Sequence, residues 1–356
     1  MTRRSRTGEA AIDRTELKGK IQTVTGVIEP SELGATLMHE HVFCDLRTPS
    51  LARERDQGPP ITLENLHDVS YGRQKHAGKY LLDRMDLATS EVAALRRAGG
   101  RSLVELTCGG IKPNPAGLRA VAAATDVQIV MGCGYYVEEY QAPATFDKSV
   151  DDFAREMIAS VFEGAWGTDI RAGVIGEIGC QHPWTELERR VMRGALIAQA
   201  ETGALLNVHP GRHPDQPQEV ADFVKAAGGD LSRTVISHID RTIFDEARLL
   251  RLAATGVVLE FDLFGIETAY YPLNAIDMPN DGLRLKQLRT LIDRGHLGQI
   301  VISHDICYLT RLTKFGGHGY AHIFKNVLPL MRERGFSEAE IAAIMVETPR
   351  RLLTVG

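Results

Sequence analysis

The chain has 356 residues, of which 44% are hydrophobic and 24% are charged, and its formal net charge is −5. This is the composition of a globular protein with a large core, and the length suits either two domains or one large α/β barrel. The negative net charge and the lack of a basic stripe in the sequence argue against nucleic acid or an anionic membrane surface as a partner.

The first residues predict a flexible arm rather than a targeting segment. Residues 1–20 are polar and lack the apolar core of a signal peptide. No later stretch has the roughly 18 consecutive apolar residues of a membrane helix. The five cysteines are an odd number without CxxC spacing, which indicates free thiols in a reducing compartment. We therefore expect a cytoplasmic protein.

Eight short apolar runs, rich in Val, Ile and Leu, recur along the chain and predict buried strands. Most of them are followed by a segment of helical period. Near-continuous apolar strands separated by helices indicate a parallel sheet covered on both faces, and eight of them match the (β/α)8 TIM barrel. The predicted strands cover residues 36–43, 101–107, 127–133, 172–179, 204–209, 234–239, 257–263 and 300–306.

The predicted helices have recognisable ends. Thr185 with Glu188, and Ser337 with Glu340, form capping boxes that predict helices over 186–202 and 338–347. Gly203 stands where the first of these helices should end. Further helices are predicted over 90–98, 116–124, 149–163, 217–227, 245–254 and 283–294.

One long segment interrupts this regular alternation. Residues 46–88 are mixed and charged, and they predict a decorated first βα loop over the barrel mouth rather than a second domain. The expected organisation is therefore a short flexible arm over residues 1–20, followed by a single barrel domain over residues 21–356.

Two histidines on the first predicted strand are the strongest indication of a function. His39 and His41 are two residues apart, so both project from one face of the strand, where each imidazole can bind the same cation. Such a pair alone is structural about as often as it is functional. Four more ligand-type residues end later predicted strands, namely Glu177, His209, His238 and Asp305. Because barrel active sites lie at the carboxyl ends of the strands, the set suits two divalent metals, with zinc favoured over manganese, cobalt or iron.

The sequence around these residues resembles that of a known family, the phosphotriesterase-related proteins of the amidohydrolase superfamily. The order of ligand types along the strands is that of the superfamily. The amino-acid sequences of the segments around the ligands resemble this one family more closely still. The resemblance covers roughly residues 21–353. The segments that carry it are TLMHEH, GVIGEIGC, NVHPGR, SHIDRT, LEFDLFG, ISHDI and KFGGHGY.

The resemblance implies a role for each ligand. It implies a first metal on His39, His41 and Asp305, a second metal on His209 and His238, and Glu177 as the bridge between them. In the phosphotriesterases proper the bridge is a carboxylated lysine, whereas residues 175–177 here read Ile-Gly-Glu. A glutamate bridge, as in the related branch, is therefore implied.

A second departure from the phosphotriesterases lies on the seventh predicted strand. Where those enzymes carry a shuttle histidine beyond the aspartate, this chain has Asp262 followed by Leu263. This difference weakens any transfer of phosphotriester chemistry to the present chain.

The chemistry expected of the site follows from two metals. Cations about 3.5–4 Å apart can share a water, lower its pKa so that it becomes a bridging hydroxide, and polarise the scissile oxygen. Asp305, beside that water, is the predicted catalytic residue, which takes its proton and passes it to the leaving group. A Ser-His-Asp mechanism is disfavoured because the sequence has no Gly-x-Ser-x-Gly elbow, and it has no Walker-type loop either.

Two arginines lie at the same sequence distance from a predicted ligand histidine. Arg212 and Arg241 each lie three residues beyond a ligand histidine, in predicted loops at the barrel mouth. A single arginine there is most often only solvated, but a pair favours an anion clamp for carboxylate, sulfonate or phosphate. The further residues predicted to add to the substrate pocket are Tyr135, Tyr136 and Lys314.

These inferences predict a metal-dependent hydrolase that cleaves a carboxylic ester, lactone or amide of a small anionic substrate. The sequence does not rank the three bonds. Phosphotriesterase activity is the alternative, and a non-catalytic ligand-binding barrel is a further one, although no metal ligand has been lost. A homodimer is common in the families that the chain resembles.

Overall fold

Eight parallel strands form one barrel-like sheet in the computed structural model, which describes residues 12–268, 270, 271 and 273–356. Each strand pairs with the next along the chain. The last strand meets the first where the Asp305 N–H donates to the His39 carbonyl at 3.1 Å. The strands are β1 (Thr36–Glu40), β2 (Ser102–Glu105), β3 (Gln128–Cys133), β4 (Val174–Gly179), β5 (Leu205–His209), β6 (Thr234–Ile236), β7 (Val258–Phe261) and β8 (Ile300–Ile302). The predicted (β/α)8 TIM barrel is confirmed.

A helix follows each strand, and the two predicted capping boxes are present at Thr185 and Ser337. The first of these helices ends at Gly203, whose φ is 72°. The helices are α1 (Met85–Arg97), α2 (Pro115–Thr125), α3 (Val150–Phe162), α4 (Glu186–Thr202), α5 (Gln216–Ala226), α6 (Glu246–Ala253), α7 (Asp281–Asp293), α8 (Leu328–Glu333), α9 (Glu338–Ala342) and α10 (Thr348–Leu353). Two π-helical segments, Ile323–Val327 and Ala343–Glu347, precede α8 and α10.

Smaller elements decorate this frame. Two antiparallel pairs join Ile21–Thr23 to Gly26–Ile28 and Cys44–Asp45 to Leu81–Leu82. Short α-helices cover Arg14–Leu17, Pro49–Ala52 and Leu66–Ser70. The 3-10 helices cover Pro30–Glu32, Ala77–Tyr80, Glu138–Tyr140, Pro143–Thr145, Leu231–Arg233, Ile239–Arg241, Leu297–Gln299, Leu309–Arg311 and Thr313–Phe315.

Several predicted boundaries differ from those observed, and β6, β8 and α1 are examples. β6 and β8 are three and four residues shorter than the apolar runs that predict them, because His238 and Asp305 adopt a left-handed backbone, with φ of 56° and 50°. Helix α1 begins at Met85 rather than at residue 90. Its N-cap residue, Arg84, makes no side-chain capping bond, so no sequence signal marks this start.

The end of the barrel where the strands begin is closed by apolar residues. Ile21 and Leu352 are buried in one cluster with Val174, Leu205 and Val258. These last three are the first residues of β4, β5 and β7. The larger core cluster fills the space between the sheet and the surrounding helices. Because this end is closed, the opposite end provides the open mouth.

Residues 12–20, within the predicted arm, contact the barrel. Leu17 is buried, the Arg14 Nη1 donates to the Ala200 carbonyl at 2.8 Å, and the Gly19 N–H donates to the Val355 carbonyl at 2.9 Å. Residues 1–11 of the predicted arm lie outside the described residues. Among the residues that are described, no helix is both long enough and apolar enough to cross a membrane.

Candidate active site

The barrel brings the six predicted ligand residues together at its mouth. β1 and β4 carry His39 and Glu177, His41 follows the last residue of β1, β5 ends on His209, and the last two stand just beyond β6 and β8. Five are buried, and the aspartate side chain is 14% exposed. The six are His39, His41, Glu177, His209, His238 and Asp305.

Glu177 lies at the centre of this group and faces all four imidazoles. Its Oε2 is 2.8 Å from the His209 Nδ1 and 3.6 Å from the Nε2 atoms of His39 and His238. Its Oε1 is 3.4 Å from the His41 Nε2. A carboxylate whose two oxygens face different histidines is in the position that a bridging ligand would occupy.

The remaining distances also fit bound cations. The Asp305 Oδ1 is 3.3 Å from the His41 Nε2 and 3.9 Å from the His39 Nε2. Two ligand atoms that are each 2.0–2.1 Å from a tetrahedral zinc ion lie about 3.3 Å apart. The His39 Nε2 is buried and has no hydrogen-bond partner among the described residues. Such an orphaned nitrogen, aimed at two carboxylates, fits a metal ligand.

The metal-binding geometry recurs in overlapping groups of three residues. One group holds His39, His41 and Glu177, and another holds Glu177, His209 and His238. Both contain Glu177, so the two groups share one carboxylate.

Both carboxylates and one histidine, His209, have the charge states that metal binding requires. Burial lowers the pKa of His209 to about 3, so this ring is neutral at neutral pH. Burial opposes ionisation of Glu177, but the histidines around it, His209 foremost, outweigh burial and hold the pKa of Glu177 well below its ordinary value. Burial also opposes ionisation of Asp305, but the hydrogen bond from His41 and the positive charges of His238, His39 and Arg311 together outweigh burial and lower the pKa of Asp305. Both carboxylates are therefore negatively charged at neutral pH.

A second layer of polar groups holds the histidine rings from behind. Asp262 accepts hydrogen bonds from the His238 Nδ1 at 2.8 Å and from the His238 backbone N–H at 3.0 Å, and its Oδ2 is 3.2 Å from the His39 Nδ1. The Thr107 hydroxyl is 2.9 Å from the His41 Nδ1. These contacts leave the Nε2 atoms of the three rings directed at the centre, as metal-binding histidines require.

Sequence reasoning missed the role of Asp262, which it treated only as a departure from the phosphotriesterases. Glu260 was missed as well, and its Oε2 is 3.2 Å from the His39 Nδ1. A signal was available, since residues 260 and 262 alternate in the otherwise apolar run 257–263 and would share one face of the strand predicted there.

A cavity with an empty volume of about 430 Å³, including its open mouth, lies over the ligand residues. Arg212 is half-buried there and donates from Nε to the Tyr271 hydroxyl at 2.8 Å. Arg241 is 3% exposed, and its Nη2 donates to the Pro210 carbonyl at 3.2 Å. Its Nη1 has no partner in the part of the chain that the structure describes. The two arginines thus bring positive charge to the site without a carboxylate partner from the described residues.

A third arginine lines the same cavity and was missed. The Arg311 Nη1 donates to the Asp305 carbonyl and is 3.7 Å from the Asp305 Oδ2. Its guanidinium lies 4.6 Å from the centre of the Tyr308 ring. Arg311 stands six residues beyond Asp305, so it does not share the three-residue offset that singled out the other two arginines.

The other predicted pocket residues fall in different places. Tyr136 lines the cavity, and the centre of its ring is 4.9 Å from that of His209. Tyr135 faces away, and its hydroxyl contacts Glu156 and accepts from the Lys148 Nζ at 2.8 Å. Lys314 is exposed and lies outside the cavity lining.

The barrel and the histidine–carboxylate cluster at its mouth define a hydrolase of the amidohydrolase superfamily. The sequence profile of the phosphotriesterase family matches residues 19–353, and the chain belongs to that family. The predicted family membership and the predicted hydrolase class are thereby confirmed.

Individual relatives extend this assignment. The chain is 42% identical to the N-acetyltaurine hydrolase of Salmo salar over 344 residues, which are 95% of this chain and 99% of that protein. It is 38% identical to a resiniferatoxin-binding protein from Rhodobacter sphaeroides of known structure, with a TM-score of 0.89 over 94% of this chain and 95% of that one. A mutant of a PTE-like lactonase from Deinococcus radiodurans is 29% identical, with a TM-score of 0.75 over 94% and 99% of the two chains.

Proposed function

We propose that this protein is a metal-dependent amidase that hydrolyses small N-acyl aminosulfonates, with N-acetyltaurine as the defining substrate. The observation that carries the proposal is the placement of Arg212 and Arg241 over the ligand cluster, with no carboxylate partner among the described residues. The similarity to the N-acetyltaurine hydrolase of Salmo salar supports the choice of bond and of acid. N-Acetyltaurine is an amide that carries a sulfonate two carbons from its nitrogen, so it has both features.

The ligand cluster would hold two divalent ions, and we propose zinc. His39, His41 and Asp305 would bind one ion, His209 and His238 would bind the other, and Glu177 would bridge them. When bound, the metals would supply a water of lowered pKa and would polarise the amide carbonyl.

Asp305 would move the proton. Its Oδ1 faces the histidines, and its Oδ2 is directed towards Arg311 on the cavity wall. Because the pKa of Asp305 is lowered, this carboxylate is ionised at neutral pH and can accept a proton. The water oxygen bonds to the acyl carbon, Asp305 takes one water proton, and the carbon–nitrogen bond breaks as Asp305 returns that proton to the amine nitrogen. The second water proton stays on the acid, so the products are acetic acid and taurine, and the acid then ionises to acetate at neutral pH.

The arginines would bind the other end of the substrate. Guanidinium groups donate several hydrogens in one plane, which suits the three oxygens of a sulfonate. Hydrogen bonds to charged groups are each worth about 1.5–3 kcal/mol, so the loss of one arginine should be readily measurable.

The test compares an acidic and a neutral amide. In Arg212→Ala or Arg241→Ala, kcat/KM for N-acetyltaurine should fall about tenfold or more relative to kcat/KM for neutral N-acetylethanolamine, since one charged hydrogen bond is lost. Metal content should stay at the wild-type level. Arg248→Ala is the matched control, because Arg248 pairs with Asp215 outside the cavity lining. Equal losses on both amides would give the arginines a structural role, and a metal-replete wild type that does not cleave N-acetyltaurine would refute the proposal.

Lactone hydrolysis is the second candidate, supported by the likeness to the Deinococcus radiodurans lactonase. A lactone is neutral, so it would leave the arginine charges without a partner. Including a γ-lactone and an aryl phosphotriester in the same substrate panel separates these activities from the amidase.

A further inference from the structure

A tyrosine from another loop faces Arg212 across the cavity. Tyr271 lies in the segment between β7 and α7 and lines the cavity together with Leu273. A hydrogen bond joins this segment to the loop that carries Arg212, because the Asn274 Nδ2 donates to the Arg212 carbonyl at 3.0 Å. Two hydrogen bonds therefore join this segment to Arg212, one between the Arg212 and Tyr271 side chains and one from the Asn274 side chain to the Arg212 carbonyl.

The direction of their hydrogen bond determines what Tyr271 can do. The Arg212 Nε–H donates to the Tyr271 hydroxyl oxygen at 2.8 Å. This bond uses a lone pair of the hydroxyl and leaves its hydrogen unused, and the structure records no acceptor for that hydrogen in the residues it describes. A hydroxyl that accepts from a cation is polarised, and it becomes a stronger donor.

We propose that Tyr271 is a specificity-determining residue that donates its hydroxyl hydrogen to the anionic group of the substrate, with Arg212 fixing the direction of that hydrogen. No residue that the structure describes accepts a hydrogen bond from the Nη hydrogens of Arg212. Arginine and tyrosine together therefore present several hydrogens to one acceptor with more than one oxygen. The ligand class that this pair suits is a sulfonate or carboxylate, so the inference rests on the proposed function and deepens it.

The adjacent residue offers a matched control. Tyr270 stacks on Tyr71, with ring centres 4.2 Å apart and planes 15° apart, and it does not line the cavity. Tyr270→Phe and Tyr271→Phe remove the same atom from neighbouring residues of one loop. Only the second change removes a donor at the cavity.

The kinetic test uses the ratio of kcat/KM for N-acetyltaurine to kcat/KM for N-acetylethanolamine. Tyr271→Phe should lower this ratio about tenfold, mainly through KM, whereas Tyr270→Phe should leave it within about twofold of the wild-type value. The double variant Arg212→Ala/Tyr271→Phe should lose less than the product of the two single losses, because the arginine orients the hydroxyl. A wild-type ratio in Tyr271→Phe, or equal losses in the two tyrosine variants, would overturn the inference.

A binding measurement separates this inference from the amidase proposal. Calorimetric titration of the metal-loaded protein with propane-1-sulfonate needs no turnover, and Tyr271→Phe should bind this anion about tenfold more weakly than the wild type. If the wild type fails to cleave N-acetyltaurine, the proposed function falls and this titration still decides the role of Tyr271. Equal affinities in the two proteins, or no sulfonate binding by the wild type, would refute it.

Discussion

Glu177 is the residue on which both proposed metal sites depend, since it faces the rings of His39, His41, His209 and His238 within 3.6 Å. Glu177→Gln preserves size and removes the charge, so both the metal content and the turnover should fall sharply. Elemental analysis after loading with zinc measures the first quantity directly. Glu186→Gln, an exposed position on α4, is the control and should retain the wild-type metal content. A Glu177→Gln protein with full metal occupancy would contradict the bridge.

Asp262 would act on the proposed metals through the two histidines that it contacts, His238 and His39. Asp262→Asn keeps the shape but weakens the acceptor for the His238 Nδ1 at 2.8 Å, and it removes negative charge beside His39. Loss of such a partner typically lowers metal affinity by about 10–100-fold. Competition with a chromophoric chelator measures this affinity. An unchanged dissociation constant would mean that packing alone orients the rings.

The sequence predicted which six side chains lie together at the barrel mouth, but it did not predict most of their surroundings. Ligand positions follow from local rules, because alternation on a strand and the position of strand ends place these side chains. Tyr271 follows from no such rule, since it lies in a long loop and meets Arg212 across 59 residues of sequence. Tyr135 and Tyr136 are adjacent and face opposite ways. Which of the two side chains faces the cavity depends on where the backbone leaves β3, and the sequence does not show this.

At the scale of elements, one buried arginine joins α7 to the ends of two strands. The Arg284 side chain has no exposure, and its Nε donates to the Asp240 Oδ2 at 2.8 Å in the turn after β6. Its Nη1 donates to the Asp281 Oδ1 at 2.9 Å and to the Ile266 carbonyl at 3.1 Å beyond β7. Arg284 therefore supports the loops that carry Arg241 and Tyr271.

Removing this arginine should destabilise the protein strongly. Arg284→Met leaves the Asp240 carboxylate buried without its cation, which costs about 3–5 kcal/mol of unfolding free energy. Urea denaturation measures the change. The matched control is Arg294→Met, because Arg294 pairs with Glu246 at 3.3 Å with both side chains about 60% exposed, and such pairs are worth about 0–1 kcal/mol. Equal losses in the two variants would show that the buried pair contributes no more than an exposed one.

Elements themselves were predicted better than their ends. The apolar run at 234–239 continues past β6, but the strand stops at Ile236, because His238 adopts a left-handed backbone. Hydrophobicity reports burial and cannot report where ladder hydrogen bonds cease. The same limit applies to the helix predicted over 338–347, which the structure divides into α9 and a π-helical segment.

At the scale of the whole molecule, the metals would connect five strands and should add to global stability. A ligand present at about 1,000 times its dissociation constant stabilises the folded state by about 4 kcal/mol. Removing the metals with a chelator should therefore lower Tm, and added zinc should restore it. An identical Tm in the loaded and stripped proteins would argue against tight binding.

This metal-dependent gain should shrink as the pH falls. Glu177 and Asp262 outweigh burial and raise the pKa of His39 well above 6.5, and the pKa values of His41 and His238 are raised as well. In the metal-free folded state these rings take up protons below their raised pKa values, and bound protons compete with metal. The Tm difference between loaded and stripped protein should therefore narrow from about pH 8 to about pH 6, near the ordinary histidine pKa. Calorimetric scans across this range check it, and a constant difference would contradict it.

The pairing of residues 19 and 20 with Val355 has a practical consequence for handling the enzyme. The Gly19 N–H donates to the Val355 carbonyl, and the Val355 N–H donates to the Lys20 carbonyl, each at 2.9 Å. These bonds lie at the closed end of the barrel, beside the cluster that contains Ile21 and Leu352. A fusion partner, tag or solid support joined near either position would leave from the side away from the cavity. Immobilised molecules would then all present their open mouths to the surrounding solution.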